Sequence, residues 1–138
     1  MTRDELVRRV YAKVQDLNDI FNGKYHYCDN CMMCAERAEL SEDGVKICPD
    51  CGDEVRPATF EDYLYDKDGL DVEFRVEKRS SEHIKSVRIT TAVGGPDIRI
   101  DTQISAVVGT WGDRVKVYFN PKISDRIEEE FDEIWRYS

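Results

Sequence analysis

Five cysteines stand between positions 28 and 51, and their spacing invites metal chemistry. Cys28, Cys31 and Cys34 recur every third residue in "YHYCDNCMMC", and Cys48 and Cys51 follow in "CPDCG". Two thiolates separated by two residues present both sulfurs to one point. Two such pairs supply the four tetrahedral ligands of a structural Zn²⁺. Paired CxxC motifs in a reducing compartment read as metal ligands before they read as disulfides. A catalytic zinc keeps one position open for water, whereas sulfur is abundant enough here to close the shell. A redox reading fails for want of a βαβ pattern around either pair.

The segment between Cys34 and Cys48 must fold back as a hairpin for such pairs to meet. "EDG" at 42–44 supplies a turn and "VKI" a returning strand. With "CPDCG", the stretch 28–56 resembles the zinc-ribbon family, which implies a structural metal and no particular activity. Ala35 departs from the glycine common after the first knuckle. The compact hairpin usual for ribbons makes Cys31, Cys34, Cys48 and Cys51 the expected ligands of one structural Zn²⁺, with Cys28 a buried or free thiol. Cys28 with Cys31 also makes a CxxC, leaving sixteen residues between the pairs, and His26 is near enough in sequence to replace one sulfur. Both alternatives stay open.

The elements that must hold this segment are legible on either side of it. Thr2 and Glu5 form a capping box. Leu6, Val10, Val14, Leu17 and Phe21 recur at helical spacing over 3–21, and Asn22-Gly23 is a natural stop. "TFEDYLYD" at 59–66 is a short helix capped by Thr59. From residue 70 the period changes to two. Leu70, Val72, Phe74 and Val76 share one face, then Val87, Ile89, Thr91 and Val93. Ile98 and Ile100, "AVVGTW", and Val115, Val117 and Phe119 give three further strands, with "GGP" and "WGDR" as turns. Such close spacing leaves no room for crossover helices, so the pairing is expected to be antiparallel. Asn120-Pro121 opens a last helix with Ile123, Ile127, Phe131, Ile134 and Trp135 as its stripe. The expected fold is α+β: an antiparallel meander of about five strands covered by N- and C-terminal helices, with an inserted zinc ribbon. The expected units are a helix at 1–23, the ribbon at 24–57 and the sheet domain at 58–138.

The chain of 138 residues carries 29 Asp and Glu against 20 Lys and Arg, a net charge of −9. That field repels a polyanion and steers a basic protein, so nucleic acid is a disfavoured partner and a basic protein a favoured one. Segment 53–77 alone holds nine acids against three bases. "MTRDELVRRV" has no apolar run and nothing nears the ~20 apolar residues of a membrane span, so a cytoplasmic protein is expected. The two histidines, His26 and His83, offer no constellation of nucleophile, base and orienting group, and Gly94-Gly95 precedes Pro96 and a strand rather than a helix. The chain therefore reads as non-enzymatic. "GGPDIRIDT", "GTWGD" and an acidic helix ending "FDEIW" resemble short uncharacterised proteins of bacteria, prophages and mobile elements over residues 60–137, a family that implies no known activity. A binding module with a structural zinc is the leading expectation. A nucleic-acid binder using the ribbon tip (Arg37, Lys46), or an enzyme built on the GGP and WGD turns, are its alternatives.

Overall fold

The computed structural model describes residues 2–31, 33–35, 39–40, 44–67, 71–76, 84–90 and 96–137. Helix α1 (Arg3–Phe21) opens on Thr2, whose hydroxyl accepts the Glu5 N–H at 3.2 Å. It buries Leu6, Val10, Val14, Leu17 and Ile20 and stops at Asn22 and Gly23. The cysteine segment contributes short strands: β1 (His26–Cys28), β2 (Met33–Ala35), β3 (Glu39–Leu40), β4 (Lys46–Ile47) and β5 (Arg56–Pro57). After α2 (Phe60–Lys67) come β6 (Asp71–Val76), β7 (Ile84–Thr90), β8 (Asp97–Asp101), β9 (Ala106–Thr110), β10 (Arg114–Tyr118) and the closing helix α3 (Pro121–Tyr137).

The five later strands form one sheet in the order β10-β9-β8-β7-β6, each antiparallel to its neighbour, as the alternating pattern predicts. Strand β7 begins two residues before the expected Ser86, and Thr91, Val93, Gly94 and Gly95 lie outside the described residues. Alternation sends Val87, Ile89, Ile98, Ile100, Val107 and Val115 to one face. There they join the stripes of α1 and α3 in a single apolar core. Helix α1 lies so close to β9 that a Cβ placed on Gly109 would stand 2.5 Å from Val10 Cγ2 and 2.9 Å from Leu6 Cδ1.

Helix α2 is held at its start from two directions. Thr59 and Asp62 exchange a reciprocal pair of bonds at 3.1 Å, the capping arrangement expected of Thr59. Glu130, on α3, reaches across and accepts the Phe60 and Glu61 N–H groups at 3.2 Å each. The sequence places Glu130 among the solvated acids of the last helix; the fold uses it as a second cap. Burial raises its carboxyl above the usual 4.5, against the opposing pull of the two N–H donors. Burial likewise raises Glu61 and Glu128.

A carboxyl that holds its proton to higher pH when folded contributes stability below the unfolded value near 4.5. That contribution is lost as pH rises through the folded value. Asp62 acts oppositely: burial pushes it up, but the Arg56 guanidinium and the Thr59 bonds outweigh this and leave it lowered. Its window lies below the usual 3.8 and does not overlap. The Glu130 contribution to stability in urea should therefore fall as pH rises from 4.5, while His26, lowered from 6.5 by burial and the Lys46 charge, adds an opposite, rising contribution over the same range. Glu130→Gln should remove that fall, and Glu130→Ala should destabilise by ~1–2 kcal/mol through the lost cap. An unchanged pH dependence in the Gln variant would assign any fall to Glu61 and Glu128 instead.

Candidate metal centre

The cysteine segment folds back on itself in three-stranded and two-stranded pieces. Strand β1 lies between β2 and β5, with His26 opposite Ala35, Tyr27 opposite Cys34 and Cys28 opposite Met33; β3 pairs with β4. Cys28 closes β1. Asp29 and Asn30 then turn the chain so that the Cys31 N–H donates to Cys28 Sγ at 3.4 Å. The second knuckle follows β4. The Cys48 N–H donates to the Asp53 carbonyl at 2.7 Å, and the Gly52 N–H donates to the Cys48 carbonyl at 2.9 Å. Gly52 has φ +78° with open space where a Cβ would lie, so backbone conformation, not crowding, selects glycine after Cys51.

These two turns bring together Cys28, Cys31, Cys48 and Cys51, whose Sγ atoms all lie within 4.8 Å of one another. Cys28 and Cys51 stand 3.5 Å apart, and Cys31 and Cys48 4.0 Å. Zn–S bonds of ~2.3 Å set the edge of a sulfur tetrahedron at ~3.8 Å, so the donor set fits such an ion in number, type and span. Cys28 and Cys48 are buried, Cys31 half-buried and Cys51 exposed. Hydrogen bonds shared with the Cys51 and Cys28 sulfurs push the Cys31 thiol up to about 12, while the Asp53 backbone and Asn30 bring Cys51 down to about 7. Crowded sulfurs keep protons when nothing balances their charge; a divalent cation at the centre reverses that preference.

Of the expected ligands, Cys31, Cys48 and Cys51 come together. Cys28, expected to be the spare thiol, stands with them. Cys34 occupies β2 opposite Tyr27, one step out of phase with Cys28 in the register, and its side chain lies outside the described residues. The signal that distinguishes the two pairs lies between the cysteines. Asp29-Asn30 are turn formers, suited to a tight knuckle, whereas Met32-Met33 carry no turn preference.

His26 is not part of the sulfur cluster. It is buried, with Nε2 3.2 Å from Lys46 Nζ and no partner for Nδ1 among the described residues. An ammonium can only donate, so Nε2 accepts and Nδ1 carries the ring proton. Burial and the Lys46 charge lower its pKa.

The segment is rooted in the rest of the chain. Tyr25 belongs to the apolar core, and its carbonyl accepts the Ala58 N–H at 2.9 Å. Asp16 on α1 accepts the hydroxyls of both Tyr25 and Tyr63. Arg56 stacks over the Tyr27 ring at 4.7 Å, bonds Asp62 at 2.6 and 3.2 Å, and stands 3.6 Å from Asp29 in the first knuckle.

Of the other residues singled out in the sequence, Arg37, His83, Gly94 and Gly95 lie outside the described residues. Pro96 is buried, Trp111 is half exposed and Gly112 takes φ +66° in the β9–β10 turn. No described helix is long and apolar enough to cross a membrane. No family model, curated protein or solved structure matches the chain.

Proposed function

We propose that this chain is a non-enzymatic binding module of the cytoplasm. Its zinc ribbon is closed by one structural Zn²⁺ on Cys28, Cys31, Cys48 and Cys51, and the acids of its helical side receive a basic protein. The carrying observation is the four-sulfur cluster of tetrahedral dimensions. Four thiolates fill a tetrahedral shell and leave no position for a water nucleophile, which is the signature of a structural rather than a catalytic zinc. The partner reading rests on Asp125, Glu129 and Glu133, which are exposed along α3 beside a net charge of −9. The likeness to short prophage and mobile-element proteins suggests a host nucleic-acid-binding protein as that basic partner, with carboxylates standing where phosphates would.

Native mass spectrometry should find one Zn²⁺ per chain, and a folded, metal-free protein would remove the first half of the proposal. Affinity for a basic protein recovered from host lysate should fall steeply with salt, because exposed charges are screened over ~8 Å at physiological ionic strength. Asp125→Lys/Glu129→Lys/Glu133→Lys should abolish that binding while each change moves stability by no more than ~0.5 kcal/mol. Equal affinity in the reversed variant would leave these acids with solubility alone.

A further inference from the structure

The four sulfurs that meet in the ribbon are not equally reachable. Cys28 is 3% and Cys48 7% exposed, Cys31 is half-buried, and Cys51 alone among the four is exposed. The Sγ of Cys51 stands 3.5 Å from that of Cys28, and Cys31 stands 4.0 Å from Cys48. Both pairs run from one knuckle to the other. Side-chain rotation and a small movement of the turns would bring the first pair to bonding distance. The turns have room for it: Asp29, Asn30, Asp50 and Gly52 are exposed, and open space lies where a Gly52 Cβ would stand. An exposed sulfur with a second sulfur beside it is oxidised to a disulfide rather than to the irreversible acids. The charge around Cys51 selects the oxidant. Asp29, Asp50, Asp53 and Glu54 are exposed on and beside the knuckles. The cations among the described residues of 26–57 are engaged, Lys46 with His26 and Arg56 with Asp62 and Asp29. Such a field repels anionic disulfides such as oxidised glutathione and is indifferent to a small neutral peroxide.

We propose that Cys51 is a modification site for hydrogen peroxide, and that its oxidation closes a Cys28–Cys51 disulfide that empties the metal centre. The inference rests on the reading of the four cysteines as one zinc site and adds the means of its release. Cys51 Sγ attacks one peroxide oxygen, the O–O bond breaks, and hydroxide leaves and takes a proton from solvent. Cys51 is then a sulfenic acid. Cys28 Sγ attacks the Cys51 sulfur, the S–O bond breaks, and a second hydroxide leaves and is protonated. The two sulfurs together lose two electrons, and the peroxide becomes two waters. Cys31 and Cys48 remain as thiolates, and two sulfurs cannot close a tetrahedral shell. A dithiol reductant reverses the change by exchange, returning both thiols and becoming a disulfide itself. Disulfides of reducing compartments are of this transient, sensing kind.

The test treats zinc-loaded protein, its metal first counted by native mass spectrometry, with hydrogen peroxide while a chromogenic chelator records release. Trypsin then separates the knuckles, cutting after Lys24, Arg37 and Lys46. A Cys28–Cys51 bond joins peptide 25–37 to the peptide that begins at Ile47, whereas a bond within either knuckle joins nothing. We expect all the zinc to leave as this linked pair appears, with fragmentation placing the first bond at Cys28 and Cys51. A dithiol with added Zn²⁺ should restore the loaded chain. Asp50→Lys, beside Cys51, should speed release by oxidised glutathione about two- to fivefold at low salt and leave the peroxide rate alone. A first bond within a knuckle, or between Cys31 and Cys48, overturns the inference. So does zinc retained under peroxide that fully oxidises a free-cysteine peptide. No gain for oxidised glutathione in Asp50→Lys overturns the choice of oxidant. Failure of the metal reading shows separately, as a native spectrum without zinc before any oxidant is added.

Discussion

Serine at Cys28 should release the metal, and serine at Cys34 should leave it bound. Metal capture by small zinc modules is worth roughly 10–16 kcal/mol in apparent terms, and each thiolate carries a large share of it. Cys28, Cys31, Cys48 and Cys51 gather their sulfurs within 4.8 Å, so loss of any one opens the shell to water and lowers affinity by orders of magnitude. Chelation of the wild-type chain should have the same result. Strands β1 to β5 are two or three residues each, and the buried apolar groups among the described residues of 26–57 are Cys28 and Cys48 themselves, so these offer little core to replace a metal. The sheet keeps its own core, which holds the stripes of α1 and α3. Circular dichroism should therefore lose a minor part of its amplitude on chelation. Elemental analysis with a zinc-free Cys34→Ser variant and a zinc-loaded Cys28→Ser variant would reverse the ligand assignment. Collapse of the whole spectrum would show the ribbon and sheet to be one cooperative unit.

Gly109→Ala should be the most damaging methyl group added to any of the described glycines. The added Cβ would meet Val10 Cγ2 at 2.5 Å and Leu6 Cδ1 at 2.9 Å, separations that demand movement. Neither neighbour can swing aside, since Leu6 is 1% and Val10 0% exposed and both are locked between α1 and the sheet. Overpacking of this kind costs ~1–3 kcal/mol, and two simultaneous clashes put it at the upper end. For a chain of this length that corresponds to a fall in Tm on the order of 10 °C. Val10→Ala removes the nearer obstruction. The double variant should recover part of the loss, a coupling expected only of residues that touch. A Gly109→Ala protein melting with the wild type would mean that α1 slides on β9 without penalty.

Much of the architecture was legible because it rests on periodicity. Leu6, Val10, Val14 and Leu17 announce α1, and the alternation through Val87, Ile89, Ile98 and Ile100 announces the meander. Local patterns of this sort express which side of an element faces the core, and the core enforces them. The ligand choice was harder because Cys28, Cys31 and Cys34 carry the same spacing twice. Only the turn propensity of Asp29-Asn30, which Met32-Met33 lack, separates the two pairs. Glu130 was unreadable for a different reason. A carboxylate in the run "IEEEFDE" looks the same whether it meets water or the start of another helix 70 residues earlier in the chain.

Helix α2 is where these parts meet. Arg56 ties Asp62 of α2 to Asp29 in the first knuckle, and Glu130 of α3 holds the same helix by its first N–H groups. An event at either end that displaces α2 must do work on the other. Thermodynamic reciprocity then fixes the consequence: if zinc occupancy changes the affinity of α3's acidic face for a partner by some factor, that partner changes the affinity for zinc by the same factor. A metal held by the four cysteines would in that case be a structural support whose hold on the chain reports whether the far helix is engaged.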